Sequence, residues 1–323
     1  MKKLFKMEEI GILLVLLGII VVFSLLSPRF LTVSNFFNIS RQIATLGVTA
    51  IGFTFVLISG GIDLSVGFQI SLINVITAHL MVHMGVHWGV AILIAVAIGS
   101  FIGFINGLII TKTGVLPLIV TLGMMIILNG LSFIISGGLP IFGFPPDFAF
   151  LGQGNLLGVP VSLIIMIIAV IAGIFLLNKT YFGRYFYAIG NNEEATKLSG
   201  VKTGRIRITV YTLSGFFTSI GGILLLSRLN SAHSSTGAGF EFDVLTACVL
   251  GGVSTSGGKG TILGAIIGVI IVGVLNNGLI LLNVNEHVQF VIRGVILITA
   301  VVYDTMSRRN SLKIKKMKAV GGG

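Results

Sequence analysis

The sequence predicts an all-α integral membrane protein of about ten transmembrane helices, some short or broken, and three observations lead there. Hydrophobic residues make up 54% of the 323 and charged residues 10%, with a mean hydropathy of +1.07, whereas a soluble domain carries about a quarter charged residues. Apolar runs recur at the ~20-residue length that crosses a bilayer as a helix. They are too long and continuous for the ~10-residue alternating strands of a membrane barrel. Positive residues gather just outside these runs, which is the pattern that orients membrane proteins. The net charge of +11 therefore reads as topology, and no nucleic-acid partner is expected. The one cysteine, Cys248, lies in an apolar stretch, which excludes a disulfide within the chain and leaves no thiolate set for a metal.

The first run, near 10–26, follows Lys2, Lys3 and Lys6, and no small-x-small cleavage site follows in SPRFLT, so it reads as a retained helix. The second and third, near 44–59 and 66–83, are joined by GGIDLSVG (60–67). There Gly60 and Gly61 can end one helix, and Asp63 or Ser65 can accept the free N–H groups of the next. A backbone break at membrane depth survives only where protein or a water-filled cavity satisfies it, so this hairpin is expected inside the protein near the cytoplasmic face. Asp63 suits a cap, a gate or an ion pair. His79, His83 and His87 end the third run at four-residue spacing without an adjoining carboxylate, and no metal site is expected.

The fourth run, near 89–111, carries Gly99, Gly103 and Gly107 in one stripe, which lets two backbones approach closely in lipid. After the fifth, near 115–136, the longest exterior loop, about 137–160, contains IFGFPPDF and reads as a turn-laden cover over the outer mouth. The sixth, near 160–178, leads into a hydrophilic island, NNEEATKLSG (191–200), flanked by Arg184, Lys202, Arg205 and Arg207. A helix from Glu193 to Ser199, ended by Gly200, suits the helix dipole, with acids in its first turn and Lys197 near its end. It is too short to be stable alone.

The seventh run, near 208–227, and the short eighth, near 243–254, precede GGVSTSGGKG (251–260). A phosphate-binding P-loop needs G-x-x-x-x-G-K-[ST]. Here Val253 stands where the first glycine belongs, Gly260 holds the hydroxyl position, and no strand precedes the loop, so the chain is expected to bind no nucleotide or other cofactor itself. Runs near 261–282 and 287–303 complete the set. Residues 1–306 read as a single transmembrane domain and 307–323 as a basic, disordered cytoplasmic tail.

With the N-terminus inside, seventeen of the twenty-one positive residues fall on the cytoplasmic side, Arg29, Arg41 and Arg228 fall outside, and Arg293 lies within a span. Both termini and the island are then cytoplasmic. GFINGLII (103–110) echoes GVLNNGLI (273–280) in spans five apart, the relation that a 5+5 inverted repeat produces. A competing echo, GGIDLSVG with GGVSTSGG (251–258), pairs the second and eighth connections and does not fit that scheme.

Polar residues inside the spans are the candidates for a pathway or gate. Arg293 costs ~2.5–3.5 kcal/mol at a helix centre. It either faces the interior, held by carbonyls or by an acid such as Asp63 or Glu241, or snorkels to the outer interface. Asn74, Asn106, Asn129, Asn276 and Asn277 must find hydrogen-bond partners, either between helices or along a path for a neutral, hydroxyl-rich solute. Paired catalytic carboxylates, HExxH and nucleophile-base spacings are absent from the sequence, so an enzyme is not expected.

GGIDLSVG (60–67), GVLPLIVTLG (114–123), FGRYFYAIGNNEEATKLSG (182–200), GGVSTSGGKG (251–260) and GVLNNGLILL (273–282) resemble the permease subunit of bacterial ATP-binding-cassette importers of the ribose, xylose, galactose and arabinose type. The similarity covers about residues 10 to 304. It implies a multi-pass protein of the bacterial cytoplasmic membrane, working as a homo- or heterodimer of permeases by alternating access. It also implies two partners, a cytoplasmic ATPase that binds ATP and Mg and an extracytoplasmic sugar-binding protein. Within about 179–207, Glu194, Ala195, Thr196 and Gly200, with Glu193 beside them, match the E-A-A-x-x-x-G pattern by which such permeases contact their ATPases, with Thr196 replacing the second alanine. The alternative reading is an ion-coupled secondary transporter or channel for a small polar solute. That reading needs ion sites, and Asp63 is the one acid near a helix break.

Overall fold

The computed structural model describes the backbone of residues 7–320 and the side chains of residues 14–306. The basic residues Lys2, Lys3 and Lys6 and the closing Gly321, Gly322 and Gly323 lie outside the described residues. Thirteen helices follow in order: α1 (Met7–Leu26), α2 (Val33–Ile58), α3 (Val66–Val82), α4 (Trp88–Thr113), α5 (Pro117–Ser136), α6 (Pro146–Gln153), α7 (Val161–Lys179), α8 (Tyr181–Asn191), α9 (Glu193–Leu198), α10 (Thr203–Leu229), α11 (Phe240–Leu250), α12 (Ile262–Leu281) and α13 (Glu286–Val320). One two-stranded hairpin, β1 (Asn155–Leu156) with β2 (Val159–Pro160), lies between α6 and α7. Among the described residues seven helices (α2, α4, α5, α7, α10, α12 and Glu286–Met306 of α13) are long and apolar enough to cross a membrane, and α3 and Leu14–Leu26 of α1 are shorter apolar helices.

Two boundaries differ from the sequence expectation. The second span is not short: α2 has 26 residues and starts at Val33. Its polar first turns are satisfied, since Thr32 caps it by accepting from Asn35 N, and the Asn35 amide donates to Phe30 O at 2.9 Å and exchanges bonds with Asn277. At the other end α13 runs on past residue 307, to Val320. SRRNSLKIKKMKAV contains no glycine or proline, and nothing in it breaks a helix already started.

The middle of the bundle is α2 and α10. Phe53, Phe55 and Ile51 of α2 and Tyr211 and Phe217 of α10 are buried, with the Phe55 ring 5.6 Å from Phe186 and 6.0 Å from Phe217. Close approach depends on missing side chains. A Cβ on Gly103 would sit 2.1 Å from Tyr211 O, and one on Gly215 would sit 2.1 Å from Gly99 O, so the Gly99, Gly103 and Gly107 stripe packs α4 onto α10. The long connection 137–160 resolves into α6 and the hairpin. Ile141 bridges to Ala232, and Gly152 N donates to Ser227 Oγ at 2.7 Å, which fixes this cover to the end of α10.

Candidate functional site

Two regions gather the singled-out residues. The first is the end of the bundle carrying α8 and α9. Asn192 breaks the chain between them with extended backbone, and its side-chain oxygen accepts from Ala195 N at 2.9 Å, capping α9. At the other end Gly200 takes φ +84°. Gly200 N donates to Lys197 O at 3.0 Å and Val201 N to Thr196 O at 3.4 Å, the paired closure that a left-handed glycine permits. Six residues are thus held as a helix by their caps, where propensity alone could not hold them.

On α9, Glu193 turns back to an ion pair with Arg207 of α10, and Thr196 is buried with its hydroxyl on Asn192 O at 2.7 Å. Glu194, Ala195 and Lys197 face outward, as does Leu198, which is 88% exposed. Of the five island residues singled out, two therefore brace the helix from behind. Leu198 was not singled out from sequence, because a single exposed leucine is ordinary on a protein surface. Beside α9, an open groove of about 480 Å³ is lined by Lys112, Lys197, Lys202 and Arg205 over Leu108 and Ile208.

The segment 251–261 packs under α8. Gly258 N donates to Ile58 O at 2.8 Å, and the Tyr187 hydroxyl donates to Gly260 O at 2.7 Å. Burial pushes the Tyr187 hydroxyl above its ordinary value, so it stays a donor. Gly60, Gly190 and Gly257 meet with no side chain between them, since a Cβ on Gly257 would lie 2.9 Å from the Gly60 Cα and 3.0 Å from the Gly190 Cα. The glycines of the failed P-loop thus serve close packing between three segments. The two sequence echoes at 60–67 and 251–258 touch at this point.

The second region is a polar layer inside the bundle. Asp63 is fully buried. Its Oδ1 accepts from Ser65 N at 3.2 Å and Ser65 Oγ at 2.5 Å, and its Oδ2 accepts from Ser214 Oγ at 2.9 Å. Asn106 donates to Ser65 Oγ at 3.0 Å. Asn106 precedes the end of α4 by seven residues and Ser214 follows the start of α10 by eleven, so at 1.5 Å per residue the layer lies roughly 10–16 Å inward. The start of α11 reaches the start of α3 there: Gly237 N donates to Ser71 Oγ at 2.8 Å, and a Cβ on Gly237 would lie 1.9 Å from Gly67 O.

The remaining polar candidates divide. Arg293 pairs with Asp243 at 3.2 Å, so its acid is neither Asp63 nor Glu241. Fifty residues separate the two, so no local pattern pairs them. Asn276 donates to the same Asp243 oxygen at 3.2 Å, Asn277 is spent on Asn35, and Asn74, with its amide oriented to donate, reaches Gly222 O at 2.7 Å. Asn129 does not face the interior. It lies on the exposed side of α5 beside Gly130, whereas Thr121, Leu128 and Ser132 are the buried residues of that helix. Gln69, not singled out from sequence, is buried and donates to Gly215 O at 2.8 Å. Among the described residues no group of three or more His, Cys, Asp or Glu could hold a metal ion.

The chain thus combines helices that begin inside a bundle, a polar layer at depth and a capped surface helix at one end. Residues 35–301 match the family model described as branched-chain amino acid transport system, permease component. The chain belongs to that permease family. It is 43% identical to the ribose import permease protein RbsC of Bacillus subtilis strain 168 over 300 residues, 92% of this chain and 93% of that one. The RbsC protein of Escherichia coli K12 is 42% identical over 90% of this chain and 92% of its own, and the L-arabinose transport system permease protein AraH of the same strain is 38% identical over 94% and 92%. No solved structure matches the chain. This family member is a multi-pass membrane protein and a transport permease component.

Proposed function

We propose that this chain is the membrane permease of an ATP-driven importer for a monosaccharide, moving the sugar across the cytoplasmic membrane by alternating access. The observation that carries this reading is α9: a six-residue helix capped at both ends, braced by Glu193 and Thr196, and presenting Glu194, Ala195, Lys197 and Leu198 outward. Its relatives' names supply the substrate class. In this reading the α9 end is cytoplasmic, and a separate ATPase that binds ATP and Mg docks on α9 and the basic groove beside it. Ten passing or half-passing helices, five before and five after the α6 cover, form one half of a permease pair, and an extracytoplasmic sugar-binding protein delivers to the α6 end.

A second copy suits the face flanked by α5 and α13. Both helices are mostly uncovered within one chain, and Asn129 there needs a partner that lipid cannot provide. The polar layer behind this face, with the Asp243, Asn276 and Arg293 group, offers hydroxyl-binding partners along the route.

The test is reconstitution in liposomes with the ATPase and the binding protein, scored as uptake of labelled ribose, arabinose, xylose and galactose. ATP-dependent uptake of at least one of the four is expected. Uptake by the purified chain alone under an ion gradient would establish the secondary-transporter reading instead. Substituting Glu194→Ala or Gly200→Val is expected to lower transport-coupled ATP hydrolysis while the permease remains folded, and full coupling in both variants removes the role given to α9.

A further inference from the structure

α13 is the least enclosed of the long helices: only 11% of its spanning window is buried, and Val295, Ile298 and Val302 are exposed along it. Two carboxylates fasten it. Asp243 of α11 holds Arg293 near one end, and Asp304 holds the other, eleven residues or roughly 16 Å further along. A single oxygen, Asp304 Oδ2, accepts from Thr255 N at 3.2 Å, Thr255 Oγ1 at 3.2 Å and Ser254 Oγ at 3.3 Å. Ser254 and Thr255 belong to the same segment that Tyr187 grips through Gly260, that Asn191 reaches through Gly258 O at 3.5 Å, and that touches Gly190 through Gly257. Tyr187, Gly190 and Asn191 form the last turn of α8, and only Asn192 separates α8 from α9.

A continuous set of contacts therefore runs from the docking helix to the far side of the bundle, through α9, α8, segment 251–261 and Asp304 to α13. Contiguous packed and hydrogen-bonded elements with two discrete arrangements can carry coupling through a protein. A helix fastened at two points and otherwise little packed is the element here that can take a second arrangement without opening the core. We propose that Asp304 is a positioning residue that ties α13 to the α8–α9 unit, so that displacement of α9 by the ATPase is delivered to α13. This rests on the importer reading above.

The experiment uses the assembled permease and ATPase in nanodiscs with spin labels on two pairs of exposed positions. Ile168→Cys with Tyr303→Cys reports α13 against α7, and Ile168→Cys with Tyr181→Cys reports α8 against α7. Trapping with ATP and vanadate is expected to shift both distances. In Asp304→Ala the α13 shift is lost and the α8 shift remains, and Asp304→Asn, which keeps an accepting oxygen, recovers part of the α13 shift. An α13 shift that survives in Asp304→Ala overturns the proposal. So does loss of both shifts, which would make Asp304 a general support of the fold. If Asp304→Ala does not assemble, the Ser254→Ala and Thr255→Ala double variant asks the same question from the loop side, with the same expected and overturning results. Failure of the unsubstituted chain to bind the ATPase is a distinct result that removes the importer reading and the tie together.

Discussion

α2 and α13 are apolar helices of similar mean hydropathy, yet 89% of the spanning window of α2 is buried by the rest of the chain and 11% of that of α13. Composition does not separate them; placement does. α2 carries polar groups inward, Thr45, Thr49, Thr54 and Asn35, and the last three are hydrogen-bonded, Thr49 to Thr45 O, Thr54 to Ala50 O and Asn35 to Phe30 O. α13 turns its apolar residues outward and keeps its ionic groups, Arg293 and Asp304, for its two fastenings. In lipid no hydrophobic force drives helices together, so close packing and polar contacts decide which helix is central. A permease built this way has an enclosed centre and a loosely held flank.

That contrast can be broken most severely at the centre. Gly215→Val places carbon where Gly99 O lies 2.1 Å from a bare Cβ, and neither backbone can yield without parting α4 from α10. The loss is expected to exceed the ~1–3 kcal/mol of ordinary overpacking, and monodisperse protein should be absent from gel filtration of the solubilised membrane. Phe55→Ala removes a ring packed against Phe186 and Phe217, and a loss of about 3–5 kcal/mol should appear in unfolding by denaturing detergent. Asp243→Leu, which strips Arg293 and Asn276 of a shared partner, is expected to cost about 1–3 kcal/mol. Double substitution with Arg293→Leu should recover part of that loss. Ile298→Ala, 66% exposed on α13, should stay within about 0.5 kcal/mol. A loss as large as that of Phe55→Ala would show that α13 is enclosed after all, by a second copy that persists in detergent.

Much of the architecture was legible before any coordinates because the signals were local. Gly60 and Gly61 do end a helix, and Gly200 with its left-handed backbone does end α9. The stripe of Gly99, Gly103 and Gly107 does bring two backbones together. What stayed hidden was non-local or directional. Asp243 and Arg293 lie on different helices, and nothing in either segment names the other. Asn129 was a candidate for the pathway or for a bond between helices, but it lies on the exposed side of α5, where Thr121, Leu128 and Ser132 are the buried residues. Thr196 read as a small residue on a contact face, whereas its hydroxyl finds the Asn192 carbonyl and turns it inward. The inward-starting helices were half visible: the break at Gly60 and Gly61 announced α3, but the approach of Gly237 to Gly67 needed the fold.

The joint beneath α8 also bears on how the protein is made. The carbonyl of Ile58, at the last residue of α2, accepts its hydrogen bond from Gly258 N, a group synthesised 200 residues later. At ~5–20 residues per second the ribosome takes about 10–40 s to deliver that partner. Through this interval the end of α2 must be served by water, so the central helix is made early and this end of it is sealed late.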